Sequence, residues 1–324
     1  MSLRSAELCA GGGGTALGLE QAGWTHEALV EIDPDACATL RAARPAWKVI
    51  EDDIRRVDGR QLTGIDLVSG GCPCSPFTTG GRRLGSGDDR DMLPAAMRII
   101  REARPRAVLL ENVPGLLGAR FALYRHRVTT ALEELGYAWS WRVVQASWFT
   151  VPQQRLRAVL VAAAPPVLAR YRWPAPQGPA PSVGQALGET MAARGWEGAP
   201  AWAARASSLA PTLAGGSRLH GGPDLGPTRS KRAWRDRLGV NAFGLADQVP
   251  APGEFDRAPT PAELRQGTAG LPKLTVAQAA LLQGFPPGWA FTGGKTSRYR
   301  QVGNALPAPV ARALGEALGE ALGG

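Results

Sequence analysis

Four consecutive glycines, Gly11–Gly14, follow a short apolar run at 5–10 and precede a helical stretch at 15–24. Strand, glycine turn and helix in that order form the opening unit of a parallel α/β sheet. The turn brings backbone close to a ligand and aims a helix N-terminus at it. The same alternation then continues. Strand-like runs at 26–33, 65–71 and 106–113 are followed by helical stretches at 34–44, 92–105 and 124–137. Two further strands, 138–146 and 157–164, follow one another around a proline turn, which predicts an antiparallel hairpin at one edge. Alternating units of this length imply a parallel-dominated sheet covered by helices.

From Pro165 the texture changes. Glycine and proline stay dense to about Leu271, with little periodicity. Trp173, Trp196, Trp202 and Trp234 argue for a small loop-rich domain rather than a linker. Helical patterns return at 276–285 and 307–322. We therefore divide the chain at 164/165 and 270/271.

Composition narrows the class. The chain has 324 residues and 44% hydrophobic content, enough for a sizeable core. No apolar run approaches the ~18 residues of a membrane span, and the N-terminus lacks a signal peptide's apolar core. Four cysteines, Cys9, Cys37, Cys72 and Cys74, are too few for a disulfide scaffold, and C-P-C is not a zinc spacing. A soluble protein of a reducing compartment, the cytoplasm, with no metal is expected. The net charge is +9, of which +2 falls on 1–164, +4 on 165–270 and +3 on 271–324. Residues 205–237 alone carry seven basic and two acidic side chains, the balance that phosphate contact needs.

Several residues stand where an α/β sheet carries chemistry. Glu31 ends the second strand about 20 residues past the glycines, placed for ribose hydroxyls. Asp53 has a comparable position one unit later. The pattern indicates a nucleoside-bearing cofactor without separating a nicotinamide dinucleotide from S-adenosylmethionine. Cys72-Pro73-Cys74-Ser75-Pro76-Phe77 follows a strand's C-terminal end, where a thiolate is a candidate nucleophile. The glycine-rich loop after it reads as able to close over a substrate. Glu111 and Asn112 end another strand, pointing to the same sheet edge. Gln153, Arg155 and Arg157 recur with period two, which on a strand sets them on one face.

The order CAGGGG, Glu31, Asp53, PCSPF, ENV, QQRLR, LTVAQAALLQGFP and VGNALP resembles that of the DNA cytosine-5 methyltransferases of bacterial restriction–modification systems. It covers about 5–165 and 271 to the end. The resemblance implies a Rossmann-like α/β sheet with helices on both faces that binds S-adenosylmethionine, plus a small loop-rich target-recognition domain at 165–270. It implies methylation of C5 of a flipped-out cytosine in a specific duplex DNA site, through a covalent Cys74–C6 adduct. Catalytic roles fall on Cys74, Glu111, Arg155 and Arg157. Cofactor contacts fall on Ala10, Gly11, Gly13, Glu31, Asp53, Ile54, Pro73, Leu93 and Asn304. DNA contacts are expected at Arg82, Arg83 and Gln153, and in the recognition block at Arg218, His220, Arg229, Lys231 and Arg232. The expected partners are duplex DNA and a restriction endonuclease acting separately, with the chain a monomer.

Three positions depart from the family: Cys9 replaces a usual Phe, Ser75 a usual Gln and Pro272 a usual Arg. None removes a group the chemistry needs. Alternatives are a methyltransferase for exocyclic amines, a transfer-RNA cytosine-5 methyltransferase and a DNA-binding relative without catalysis. Trapping on 5-fluorocytosine, preference for duplex DNA over transfer RNA, and measured turnover separate them in turn.

Overall fold

The computed structural model describes residues 2–72, 91–217 and 222–323. Seven strands form one sheet: β1 (Arg4–Leu8), β2 (Thr25–Glu31), β3 (Val49–Glu51), β4 (Leu67–Gly70), β5 (Ala107–Asn112), β6 (Ala138–Gln145) and β7 (Leu156–Ala163). Their order is β3-β2-β1-β4-β5-β7-β6. The first five are parallel, and β7 runs antiparallel to both neighbours. The expected β6–β7 hairpin is therefore present, with β7 between β5 and β6 and β6 on the sheet edge.

Alternate strand residues supply two cores, as a period of two demands. Leu8, Val30, Val68 and Leu110 face one side, packed with α3 (Leu93–Ala103) and α4 (Ala122–Glu134). Leu67, Leu109, Val159 and Val161 face the other, packed with the last helix at 308–323. Helices α1 (Gly14–Gln21) and α2 (Pro34–Ala43) follow β1 and β2. This is a Rossmann-like α/β fold. Among the described residues no helix is long and apolar enough to cross a membrane.

The segment after β7 carries short helices among its loops. It holds α5 (Pro165–Arg170), α6 (Val183–Ala192), α7 (Ala199–Arg205), α8 (Thr228–Leu238) and α9 (Pro261–Gln266). Local capping explains helices that hydrophobic periodicity did not signal. Ser182 with Gln185, and Thr260 with Glu263, close reciprocal capping boxes, and α8 stops on left-handed Gly239. Leu187, Trp202, Trp234 and Leu238 are buried in one core with Leu17 and Leu40 of α1 and α2.

The C-terminal segment contains α10 (Val276–Leu282), α11 (Lys295–Asn304) and α12 (Ala308–Gly323). The sequence reading had passed over α11, whose buried residues are few. Helix α12 lies against α1 so closely that a Cβ on Gly18 meets Ala311 Cβ at 2.6 Å and Arg312 N at 2.7 Å. Neither backbone can retreat without moving a helix. Gly18→Ala is expected to lower stability by about 1–3 kcal/mol in urea denaturation; an unchanged midpoint would show that α12 yields freely.

Candidate active site

The glycine turn is held from both sides. Gly11 and Gly13 have φ of +54° and +86°, which side-chain-bearing residues avoid. Glu31 Oε2 accepts from Gly11 N at 2.7 Å, and its Oε1 accepts from Ile32 N and Asp33 N at 2.9 and 2.8 Å. Burial raises the Glu31 pKa, and these three N–H groups oppose the rise. A carboxylate has about four acceptor sites, so one remains for a hydroxyl. On the outer side Trp289 Nε1 donates to Gly12 O at 3.2 Å, and Phe291 packs over Gly12. Sequence reasoning missed both aromatic residues; the signal is an aromatic-rich GFPPGWAF after the LT motif.

The other expected cofactor positions divide. Ala10 is buried, and Ile54 is buried next to Asp53. Arg55 Nε donates to Oδ1 and Oδ2 of Asp53 at 3.0 and 2.9 Å, which pulls the carboxyl below its ordinary pKa. Leu93 is a core residue opening α3. Asn304 Nδ2 donates to Gly216 O at 3.1 Å. Pro73 lies outside the described residues. Between Glu31 and the 52–54 turn, Ile32 stands 54% exposed beside a buried carboxylate. An open apolar face beside a carboxylate with one acceptor left fits the adenosine of S-adenosylmethionine. Arg98, also missed, braces this turn by donating to the carbonyls of Ile54 and Val57 at 3.0 and 2.9 Å.

Below the turn, Glu7 is buried in the central strand, near Thr15 and the Ala16 N–H. Burial drives its pKa to about 8, with Glu31 and Glu111 adding in the same direction. It is therefore neutral in the folded chain at pH 7.

The reactive end is built by three strand ends. Glu111 lies opposite Val159 in the β5–β7 register, two residues from Arg157 on the same sheet face. Arg157 Nε sits 3.3 Å from Glu111 Oε2, with both side chains about nine-tenths buried. Burial raises the Glu111 pKa, while Arg157 and then Arg155 oppose the rise. Gly71 makes room for this carboxyl: a Cβ there would lie 2.5 Å from Glu111 Oε1. Asn112 Nδ2 donates to Cys72 O at 3.4 Å. The backbone leading to Pro73 is thus fastened beside Glu111. Cys74, Arg82 and Arg83 lie outside the described residues. Cys9 holds the left-handed conformation (φ +57°) with its thiol beside that of Cys72, and this contact, then burial, raises its pKa.

A match to the family model described as C-5 cytosine-specific DNA methylase runs over residues 3–320. The chain belongs to that family. It is 47% identical to the type II methyltransferase M.NaeI of Lentzea aerocolonigenes over 99% of this chain and 76% of that protein. It is 41% identical to M.NgoMIV of Neisseria gonorrhoeae over 99% of both. The methylase is thus of the bacterial restriction–modification type. Solved structures share its fold. A putative DNA modification methyltransferase of an E. coli prophage superposes with a TM-score of 0.65 at 19% identity, covering 100% of both chains. The Entamoeba histolytica methyltransferase EhMeth gives 0.67 at 13% identity over 99% of both.

Two expectations about this methylase need correction. Arg155 was expected to act with Arg157 from one strand face, but β7 begins only at Leu156. Arg155 is wholly buried and donates to Leu213 O, Gly303 O and Ala305 O at 2.7, 2.9 and 2.8 Å. It is a brace between segments, not a group presented to substrate. Gln153 was expected to contact DNA, and it too is wholly buried. Its amide donates to Leu282 O and Gln283 Oε1 at 3.1 and 2.6 Å and accepts from Leu213 N at 3.0 Å. Gln283 in turn donates to Ala305 O at 2.6 Å.

In the recognition block, Arg229 and Arg232 are exposed on α8. Lys231 is engaged, 2.7 Å from Asp224 and over the Phe243 ring. Arg218 and His220 lie outside the described residues. Pro272 carries its own contact, accepting from Asn241 N at 2.8 Å. Among the described residues no cluster of His, Cys, Asp or Glu is arranged to hold a metal.

Two outcomes follow. Each buried acceptor left unpaired costs about 1–3 kcal/mol, so Arg155→Ala is expected to lose about 3 kcal/mol or more in urea denaturation; a parent-like midpoint removes the brace. For Glu7, the unfolded carboxyl titrates near its ordinary 4.5 and the folded one near 8. Its contribution to stability is complete below pH 4.5 and is lost as pH rises through 8. Glu7→Gln should gain Tm relative to the parent as pH rises from 5 to 9; a constant difference would contradict a neutral Glu7.

Proposed function

We propose that this methylase transfers a methyl group from S-adenosylmethionine to C5 of a cytosine flipped out of a specific duplex DNA site. The observation that carries the reading is the buried Glu111–Arg157 pair beside the backbone that leads to Cys74. Glu31, the glycine turn, Asp53 and Ile54 would hold the cofactor, which supplies, when bound, the methyl group that C5 receives.

The roles follow from cytosine chemistry. C5 is a weak nucleophile until a thiolate adds to C6 and makes C5 enamine-like. Cys74 supplies the thiolate. Glu111, whose pKa burial raises, gives a proton or hydrogen bond to N3 as charge develops there. Arg157, steadied by Glu111, binds O2 and favours ionisation of Cys74. Loss of the C5 proton and departure of Cys74 then restore the ring. The target atom is unreachable in a duplex, so the base must leave the stack, at about a few kcal/mol.

The work divides between a catalytic part (1–164 with 271–324) and a recognition part (165–270), whose α8 presents cations to DNA. The chain acts in the cytoplasm as a monomer, beside a restriction endonuclease that cuts the same site unmethylated. The relatives' type II designation supports that pairing.

Bisulfite sequencing of DNA from cells expressing the chain should show 5-methylcytosine at one recurring site. Methylated exocyclic amines, or no methylation, would overturn the reading. Glu111→Gln should lower kcat by about 10²–10⁴-fold. The parent's activity should fall as pH rises through the raised Glu111 pKa, because the donor form is lost. A flat alkaline limb would deny Glu111 that role.

A further inference from the structure

An exposed side chain stands between the two buried braces. Gln154 stands between wholly buried Gln153 and Arg155. Its backbone is pinned on both sides: its N–H donates to Ala210 O at 2.8 Å and its carbonyl accepts from Thr212 Oγ1 at 2.5 Å. The carboxamide is thus presented from a fixed backbone. It lines a cleft of about 230 Å³ with Leu209, Pro211, Arg229, Ala233 and Arg237.

The far wall is one face of α8. Arg229, Ala233 and Arg237 recur every four residues, so the two arginines stand on the same side. Eight residues of helix separate them by about 12 Å. Neither has a carboxylate partner among the described residues, because the nearby acids are turned elsewhere: Asp224 to Lys231 at 2.7 Å and Asp236 to Arg235 at 2.7 Å. Two uncompensated guanidinium groups flank the cleft. Phosphates of one strand recur about every 3.4 Å along a duplex axis, so the arginines span about three steps of one backbone.

The cleft lies close to the reactive site along the chain. Gln154 is three residues from Arg157, at most about 11 Å of chain.

We infer that Gln154, Arg229 and Arg237 form a DNA-reading cleft, in which the arginines hold one strand's phosphates and Gln154 reads a base edge beside the target cytosine. This rests on the DNA-cytosine reading above and adds two residues to it, Gln154 and Arg237. A glutamine amide donates and accepts at once, which suits a purine edge, whereas the arginine contacts carry no sequence information.

The test uses the full chain and a duplex bearing the site mapped by bisulfite sequencing. Arg237→Gln should weaken binding about tenfold, equally on cognate and scrambled duplexes, and lower the slope of log affinity against log salt by about one. Arg237→Lys should restore the slope. Gln154→Ala should leave the slope alone and relax site preference, with new methylated sites differing at one flanking base pair by about tenfold or more. Parent-like affinity, slope and site profile in both variants would overturn the cleft. Methylation by the parent on the same duplex reports separately on the reaction, so the two failures are distinguishable.

Discussion

The arrangement depends on a buried guanidinium that faces carbonyls rather than substrate. Arg155 joins Leu213 of the recognition block to Gly303 and Ala305 of the C-terminal segment. Its own backbone enters β7, the strand that carries Arg157. Gln153 repeats the device with Leu213, Leu282 and Gln283. Burying such groups is costly unless every donor finds an acceptor. The three carbonyls that Arg155 meets leave it few alternative placements. Three stretches far apart in sequence are thereby held around one strand end, and Arg157 is delivered to Glu111 from a fixed base.

Burial also sets the electrostatics. Glu7, Glu31 and Glu111 lie on β1, β2 and β5 of one sheet, and each has its pKa raised chiefly by loss of water. What distinguishes them is their partners. Glu31 meets three backbone N–H groups and anchors the glycine turn. Glu111 meets a guanidinium at the edge of the open face. Glu7 has no cation beside it among the described residues, and burial pushes its pKa to about 8. One environment thus yields three carboxyl groups that differ in what faces them.

Six of the seven strands were legible in the sequence as apolar runs, whereas β3, three residues long at the sheet edge, was not, and the motif order was enough for the family. The recognition block was less legible. Its helices are short and begin at capping boxes, which apolar periodicity does not report. Helix α11 is polar over most of its length and escaped for the same reason. The period-two reading of Gln153, Arg155 and Arg157 failed because only Arg157 lies within the strand. The partners of the other two stand about 60 to 150 residues away and leave no local pattern. The Glu111–Arg157 contact is set by the β5–β7 register, which spacing along the chain does not encode.

The central claim is that this buried pair serves a thiolate attack on cytosine. The most direct measurement is incubation of the chain and S-adenosylmethionine with a duplex carrying 5-fluorocytosine at the mapped site, followed by denaturing electrophoresis and peptide mapping. The account predicts a stable protein–DNA adduct on the Cys74 peptide, absent in Cys74→Ala. Methyl transfer to unmodified duplex that survives Cys74→Ala, with no trapped adduct in the parent, would contradict it.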